Sequence, residues 1–255
     1  MMQRVDIALT ERGLCKSRSR AKALIIGGKV LCNGAVLTKP SVPVSETDIL
    51  EVTEDLRYVG RGGLKLEGAL QAFPIPLAGR VCMDIGASTG GFTDCMLQNG
   101  AALVYAVDVG HDQLDASLRT DSRVVNLEGT DVRSVAKLSE TPDFCSIDVS
   151  FISLKLVLPA VYTLLAEQAD CMALIKPQFE AGRAHIGKGG IVKPGRVHVQ
   201  VLYEVLAAAQ QTGFAVQGLC PSPIQGGDGN IEYLAYLTKG RPAPDMPTDI
   251  QTVVG

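Results

Sequence analysis

Hydrophobic and polar residues in the first fifty positions follow two helical patterns and then strand patterns. The predicted elements are, in order, helices over 3–12 and 17–27, a hairpin of strands over 29–32 and 35–37, and a strand over 48–52. Ser17 can cap the second helix, and Gly27 can end it. Asn33-Gly34 between the hairpin strands is a strong signal for a tight turn. These patterns predict a small α+β domain over 1–55, followed by a linker over 56–59.

From about residue 79 onward, apolar runs alternate regularly with helical patterns. Predicted strands are 80–85, 103–108, 124–127, 144–148, 171–175, 214–219 and 233–237, and predicted helices are 92–99, 111–119, 153–166 and 197–211. The alternation predicts a Rossmann-like α/β domain over 60–240, with a mostly parallel sheet covered by helices on both faces. The last strand is expected to be antiparallel, because the loop over 221–230 is too short for a crossover helix. Residues 241–255 are expected to form a flexible tail.

The composition describes a globular chain of 255 residues, of which 46% are apolar. Its apolar runs are shorter than the roughly 18 residues that a membrane-spanning helix needs, and its N-terminus lacks the apolar core of a secretory signal. We therefore expect a cytoplasmic protein that does not enter a membrane. The seven cysteines include no Cys-x-x-Cys pair and the three histidines have no ligand spacing, so we expect reduced thiols and no metal site.

Charge is distributed unevenly along the chain. Residues 1–45 hold eight basic and two acidic side chains, a charge of +6, whereas the whole chain has a charge of −3 and the remainder therefore has −9. A basic module joined to an acidic body suggests that the first part binds a polyanion. An ordinary solvated helix surface is the alternative explanation of the basic cluster.

A glycine-rich segment stands between the first strand of the α/β domain and its first helix. Glycines let a backbone approach a ligand closely, as at nucleotide sites of open α/β sheets. Asp108 ends the second strand, where a carboxylate can accept hydrogen bonds from the ribose of an adenosyl cofactor. The spacing is Gly-x-x-x-Gly-Gly, not the Gly-x-Gly-x-x-Gly of NAD sites, which favours S-adenosylmethionine. The expected cofactor-binding residues are Asp84, Gly86, Ala87, Ser88, Thr89, Gly90, Gly91, Phe92, Asp108, Val109, Asp131 and Asp148.

Residues 3–52 resemble a small RNA-binding domain first known from a ribosomal small-subunit protein, the S-four-like domain. The resemblance rests on the segment RVDIALTERGLCKSRSRAKALIIGGKVLCNGAVLTKPSVPV, above all on SRSRAKALIIGGKVLCNG. It implies a basic helix surface that holds structured RNA through its phosphates, with little sequence readout. The implied RNA-binding residues are Arg4, Lys16, Arg18, Arg20 and Lys22.

Residues 3–239 together resemble the TlyA family of ribosomal RNA 2′-O-methyltransferases, whose catalytic domain is FtsJ-like. The motifs that carry this resemblance are, in order, RYVGRGGLKLEGAL, DIGASTGGFTDCMLQNGA, YAVDVG, DVSFISLKLVLPA, ALIKPQFEAGR, GKGGIVKP and PSPIQGGDGNIEYL. The resemblance implies a class I methyltransferase fold, S-adenosylmethionine as cofactor, and methylation of a ribose, of a cytidine, in the RNA of ribosomal subunits. It also implies a Lys-Asp-Lys-Glu catalytic set at Lys65, Asp148, Lys176 and Glu232.

Physical reasoning supports the same four residues. A lysine can take the proton of a ribose hydroxyl only when the lysine is neutral. Lys176 follows the apolar strand over 171–175, where desolvation and a second lysine, Lys65, would favour the neutral amine. Asp148 and Glu232 would orient the lysines and balance their charge. Ordinary surface ion pairing is the alternative for any one of the four.

Three other functions remain open at this point. A non-catalytic RNA-binding or ribosome-assembly factor could use the same fold, but the intact Lys-Asp-Lys-Glu set argues against it. The hemolysin label of the family suggests a pore-former, which the absence of a signal and of a membrane span disfavours. An NAD-dependent enzyme is the third. The glycine-rich loop over 181–195 could cover RNA, or it could be a plain solvated loop.

Overall fold

The computed structural model describes residues 2–15, 17–53, 57–193, 195–226, 229–244 and 249–255. Contacts group the chain into two compact units, Met1–Arg61 and Gly62–Gly255. The division falls just after the linker that is expected over 56–59. Each unit has its own buried apolar core, so each is described by itself below.

The N-terminal unit is a small α+β domain built around two short helices. Its elements are β1 (Gln3–Arg4), α1 (Val5–Glu11), α2 (Arg18–Ile26), β2 (Val30–Cys32), β3 (Ala35–Leu37), β4 (Pro43–Val44) and β5 (Leu50–Val52). The helical spacing places Leu9, Leu24 and Ile25 in one buried core. Ser17 caps α2 as expected, because its side chain accepts a hydrogen bond from the Arg20 amide. The two predicted helices, the hairpin and the following strand are confirmed.

Two small sheets complete the N-terminal unit. β2 lies between β3 and β5 and is antiparallel to both. Asn33 and Gly34 connect β2 to β3 with positive φ angles of 51° and 81°, which is the conformation that their turn requires. β1 pairs with β4 in a separate antiparallel ladder that the sequence patterns do not predict, because two-residue strands carry no periodicity.

The C-terminal unit alternates strands and helices. Its elements are α3 (Gly62–Ala72), β6 (Val81–Ile85), α4 (Gly91–Gln98), β7 (Leu103–Asp108), α5 (Ala116–Arg119), β8 (Val124–Glu128), β9 (Phe144–Ile147), α6 (Leu154–Leu164), β10 (Ala169–Ile175), α7 (Pro177–Glu180), α8 (Gly195–Thr212), β11 (Ala215–Pro221), β12 (Tyr233–Lys239) and α9 (Ile250–Val254). Short 3₁₀ turns lie at Val132–Ser134, Arg183–His185 and Lys188–Gly190. The predicted strands are all present.

Seven strands form one sheet in the order β11-β12-β10-β9-β6-β7-β8. The neighbouring pairs from β10 to β8 are parallel, whereas β12 is antiparallel to β10 and to β11. Every residue of β9 and β10 is buried, as in a sheet that helices cover on both faces. The prediction of a Rossmann-like α/β domain with an antiparallel C-terminal strand is confirmed.

The predicted helix over 111–119 is wrong in its first half, since only Ala116–Arg119 is helical. The amides of Gln113 and Leu114 both donate to the Glu128 carboxylate, at 2.5 and 3.0 Å, and Asp112 has a positive φ of 54°. A carboxylate on the neighbouring strand therefore satisfies the backbone groups that a helix would have used.

Three further helices, α3, α7 and α9, are absent from the sequence patterns. The sequence analysis expects a flexible tail over 241–255, yet α9 forms there, with Asp249 as its cap and Ile250 buried in the main core. α3 precedes the first strand and packs against α4. Its glycine-rich start hides the apolar spacing of Leu66 and Ala69, both of which are buried.

Candidate active site

The carboxyl edge of the sheet collects polar residues from several strands. β6, β9 and β10 are parallel, so Gly86, Asp148 and Lys176, which follow directly after them, meet at one edge. β12 runs the other way, and its first residue, Tyr233, pairs with Ile175 at the end of β10. Glu232, which precedes β12, therefore reaches the same edge as Lys176.

The turn after β6 needs glycine for a steric reason. Gly86 has a φ of 84°, and a Cβ atom at this position would overlap the backbone carbonyl of Asp148. The Asp148 amide also donates to the Ile85 carbonyl at 2.8 Å. The glycine-rich turn and the end of β9 thus lie in direct backbone contact. This contact places Asp148 next to the expected cofactor turn.

Two adjoining cavities open at this edge. The larger, about 400 Å³, has apolar walls and the carboxylates of Asp108 and Asp131. The smaller, about 120 Å³, lies over the turn. Of the expected cofactor-binding residues, the larger cavity is lined by Gly86, Ser88, Asp108, Val109, Asp131 and Asp148, and the smaller one by Gly86, Ala87, Ser88, Thr89, Gly91, Phe92 and Asp148. An apolar slot with carboxylates at its rim fits an adenosyl group, whose ring is apolar and whose ribose donates hydrogen bonds.

Asp108 is already held by the backbone around it. Its Oδ2 accepts from the Ser88 amide and its Oδ1 from the Gly110 amide, each at 2.7 Å. Each carboxylate oxygen keeps a second lone pair for a ribose hydroxyl. Asp131 pairs with Arg133 at 2.6 Å, and the hydrogen bond from Arg133 lowers the pKa of Asp131. Both acids are therefore fixed in place at the cavity rim.

Two of the expected cofactor-binding residues, Asp84 and Gly90, line neither cavity. Asp84 is fully buried beneath the turn, where Thr93 donates to Oδ2 at 2.7 Å and Ser146 donates to Oδ1 at 3.0 Å. Burial raises the pKa of Asp84 to about 7, and the residue lines neither cavity. Gly90 faces Leu118 on the far side of the turn, with a φ of 92°. Both residues therefore support the turn from beneath.

Lys65 and Glu232 form a buried ion pair. Lys65 on α3 lies with its Nζ 2.6 Å from Oε2 of Glu232, and the Glu232 side chain is only 3% exposed. Gln178 donates to the other Glu232 oxygen at 3.4 Å. Gln178 is two residues from Lys176 along the chain. The Lys65–Glu232 pair therefore contacts the same short segment that carries Lys176.

Lys176 and Asp148 form a second ion pair at the mouth of the cavities. Lys176 Nζ lies 2.6 Å from Asp148 Oδ1 and donates to Ser150 Oγ at 2.9 Å. The Lys176 amine thus contacts one carboxylate and one hydroxyl group. The structure thus brings all four predicted residues to one edge as two lysine–carboxylate pairs. Glu232 balances the charge of Lys65, so Lys65 does not act on Lys176 as an unpaired cation.

Several residues at this site were not identified from the sequence. Phe151 is 90% exposed and has a positive φ of 64°, a strained conformation for an aromatic residue. Its ring centroid lies 4.9 Å from that of Phe179, and Lys176 Nζ lies 5.7 Å above the Phe179 ring. Ser150 and Gln178 contact the two pairs as described. An aromatic residue directly after the Asp-Val-Ser of 148–150 was the available sequence signal.

The expected RNA-binding residues lie on the N-terminal unit. Arg4 and Arg18 both pair with the buried Asp6, Arg20 is partly buried, and Lys22 is exposed on α2. Lys16 is outside the described residues. The basic residues near the start of α2 therefore include one guanidinium that a buried carboxylate holds and one exposed ammonium.

The strand order and the site residues define a class I methyltransferase domain. An RNA-binding domain precedes it in the chain. Residues 58–239 match the model of the FtsJ-like methyltransferase family, and residues 3–50 match the S4 domain. The chain therefore belongs to the FtsJ-like methyltransferases, within the TlyA group. Its cofactor is S-adenosylmethionine, and its S4 domain and family indicate an RNA substrate.

Similar proteins carry two kinds of name. The 16S/23S rRNA (cytidine-2′-O)-methyltransferase TlyA of Mycobacterium tuberculosis is 45% identical, over 92% of this chain and 89% of its own. Hemolysin A of Brachyspira hyodysenteriae is 41% identical, over 92% and 99%. A solved structure from Streptococcus thermophilus, also named as a hemolysin, has a TM-score of 0.79 and 48% identity over 99% of this chain and 94% of its own. No helix within the described ranges is long and apolar enough to span a bilayer.

Proposed function

We propose that this chain transfers the methyl group of S-adenosylmethionine to the 2′-hydroxyl of a cytidine ribose in ribosomal RNA. The observation that carries the proposal is the pair of 2.6 Å lysine–carboxylate contacts beside the cofactor cavities. The name of the Mycobacterium tuberculosis relative, an rRNA (cytidine-2′-O)-methyltransferase, supports the same substrate. Ribosomal subunits, which present this RNA in folded form, are the proposed partners.

Lys176 is the proposed base. S-adenosylmethionine supplies an electrophilic methyl group on a sulfonium centre. Lys176, in its neutral form, would accept the proton of the 2′-hydroxyl as the ribose oxygen bonds to the methyl carbon and the sulfur–methyl bond breaks, and Asp148, in contact at 2.6 Å, would orient the amine. Ser150 fixes the direction of the amine. Lys65 and Glu232 hold the neighbouring charge balance and orient the ribose.

Phe151 is the proposed contact for the target base. A nucleotide inside a helix cannot readily bring its 2′-oxygen to a recessed methyl donor, so the nucleotide must leave the stack. An exposed aromatic side chain next to Lys176 offers a stacking surface for the displaced base. Its strained backbone is consistent with a functional position rather than a packing one.

The proposal is tested by methyl transfer from tritiated S-adenosylmethionine to purified small and large ribosomal subunits, followed by nuclease digestion to identify the labelled nucleoside. We expect labelled 2′-O-methylcytidine with the unaltered chain. Lys176→Met is expected to reduce the rate about 10²- to 10⁴-fold, the range for loss of a general base, and to leave cofactor binding by calorimetry unchanged.

Lys137→Met is a matched control, because Lys137 is an exposed lysine of the same unit that forms no ion pair or side-chain hydrogen bond with the other described residues. This variant is expected to retain full activity. Absence of methylation of either subunit by the unaltered chain would overturn the proposed function. Full activity of Lys176→Met would overturn only the role given to Lys176.

A further inference from the structure

Two arginines of the N-terminal unit converge on one buried carboxylate. Arg4 precedes α1 and contacts Asp6 through Nε at 2.9 Å and through Nη2 at 3.2 Å. Arg18, the first residue of α2, contacts the same Asp6 through Nη2 at 3.2 Å. Both Nη2 atoms bind the same oxygen, Oδ2. Asp6 therefore ties guanidinium groups from two separate elements to one point.

The cluster carries a net positive charge on its outer side. The Asp6 side chain has no exposed surface, whereas the side chains of Arg4 and Arg18 are 47% and 54% exposed. The hydrogen bond from Arg4 lowers the pKa of Asp6, and its partner Arg4 has a raised pKa. The Asp6 carboxylate is therefore ionised near neutral pH, and one acid beneath two guanidiniums leaves one positive charge facing outward.

Most donors of the two guanidiniums are still available. A guanidinium has five N–H donors in a fixed fork. Arg4 uses Nε and one Nη2 donor, and Arg18 uses one Nη2 donor; within the part of the chain that the structure describes, neither guanidinium has a further acceptor. A phosphate group accepts several such bonds at once, in bidentate fashion. The remaining donors suit the phosphates of a nucleic-acid backbone.

We propose that Asp6 is a positioning residue for RNA: it holds Arg4 and Arg18 side by side before RNA arrives, and the pair binds backbone phosphate. The inference rests on the proposed function, which includes RNA binding by this unit. When a mobile arginine side chain becomes ordered on binding, the lost conformational entropy reduces the affinity. Because Asp6 already orders both arginines in the folded protein, RNA binding does not bear that cost.

Charge alone leads to the opposite expectation, which makes the inference testable. An acid among basic residues repels phosphate, so if Asp6 contributed only its charge, Asp6→Asn would strengthen RNA binding. If Asp6 positions the arginines, Asp6→Asn weakens binding although the unit becomes more positive. The sign of one measured change separates the two roles.

The experiment measures binding of the full chain to a fluorescein-labelled RNA hairpin by anisotropy, at several KCl concentrations. We expect Asp6→Asn to weaken binding about tenfold, since two side chains lose their fixed positions. In methylation of ribosomal subunits, KM should rise while kcat stays unchanged. Glu11→Gln is the matched control: it removes an exposed acid of α1 whose side chain has no ion pair or hydrogen bond with the described residues, and it should leave binding unchanged or slightly tighter.

A double-mutant cycle localises the effect. Arg4→Gln with Arg18→Gln should weaken binding, and adding Asp6→Asn to that background should cause no further loss. If Asp6→Asn lowers the thermal stability so far that the chain does not fold, Asp6→Glu keeps the charge but shifts both guanidiniums, and it should also weaken binding.

Unchanged or tighter RNA binding by a folded Asp6→Asn variant would overturn the positioning role while the proposed function stands. Failure of the unaltered chain to bind the hairpin and to methylate either subunit would overturn both. The unaltered chain thus distinguishes the two failures.

Discussion

The N-terminal unit and the active site arrange their ion pairs differently. In the N-terminal unit, the single carboxylate of Asp6 serves two arginines that are about half exposed. At the active site, Lys65 and Lys176 each have one carboxylate, and both lysine side chains are only 11% exposed. The first arrangement leaves positive charge on the surface, and the second leaves none.

The difference follows from what each region handles. A polyanion is bound by cations in excess that remain exposed to the solvent and to phosphate. The proton of a ribose hydroxyl is taken by a lysine amine in its neutral form, which burial favours. Charge balance and burial therefore distinguish a binding surface from a reactive site in the same chain.

The largest expected effect comes from breaking the most buried pair. Glu232→Gln leaves Lys65 buried without a charged partner, which we expect to lower the free energy of unfolding by about 3 to 5 kcal/mol and to abolish methylation. Asp148→Asn should cost less, about 1 to 2 kcal/mol, because Asp148 is 19% exposed against 3% for Glu232. Urea denaturation of the variants measures both.

The double variant Lys65→Met with Glu232→Gln is the control for this comparison. Removal of both charges should recover much of the lost stability, as is found when a buried pair is replaced as a whole, without recovery of activity. Equal destabilisation by Glu232→Gln and Asp148→Asn would contradict the distinction between a buried pair and one at the cavity mouth.

An intermediate effect on stability is expected from Asp84, a buried acid. Its side-chain partners among the described residues are the hydroxyl groups of Thr93 and Ser146. Burial raises its pKa to about 7 from an ordinary value of 3.8. Between about pH 4 and pH 7 the folded chain keeps a proton that the unfolded chain has lost. The contribution of this group therefore makes stability fall as pH rises, by about 1.4 kcal/mol per pH unit within that window.

Asp84→Asn should remove this part of the pH dependence, which denaturation at a series of pH values between 4 and 8 would show. Asp170 is a useful contrast. Burial alone would raise the pKa of Asp170, but hydrogen bonds from Tyr236 and Arg80 lower it overall. Asp170→Asn should therefore change stability in the opposite direction with pH. An Asp84→Asn profile parallel to that of the unaltered chain would show that Asp84 is already ionised when buried.

The smallest expected effect concerns an exposed cation that has no carboxylate partner among the described residues. Lys22 lies exposed on α2, and Lys22→Ala should weaken hairpin binding about threefold. It should also reduce the slope of log Kd against log salt concentration by up to about 1. A loss as large as that of Arg18→Gln would mean that the guanidinium cluster has no advantage over a single ammonium.

The sequence by itself determined most of the architecture. Apolar alternation predicted the seven strands of the sheet, and the short loop after β11 predicted the antiparallel direction of β12, because local periodicity and loop length limit the possible topologies. The Lys-Asp-Lys-Glu set was also predicted from the sequence. The family motifs indicated all four residues, and strand ends placed three of them at one edge.

Only the tertiary structure decided how the site residues are paired and which of them line the cavities. Asp84 belongs to the glycine-rich motif but is covered by Thr93 and Ser146, and the helix expected from residue 111 is displaced by Glu128. Lys65 meets Glu232 across a separation of 167 residues. Pairings of this kind depend on which surfaces pack together, and no local pattern along a chain specifies that packing.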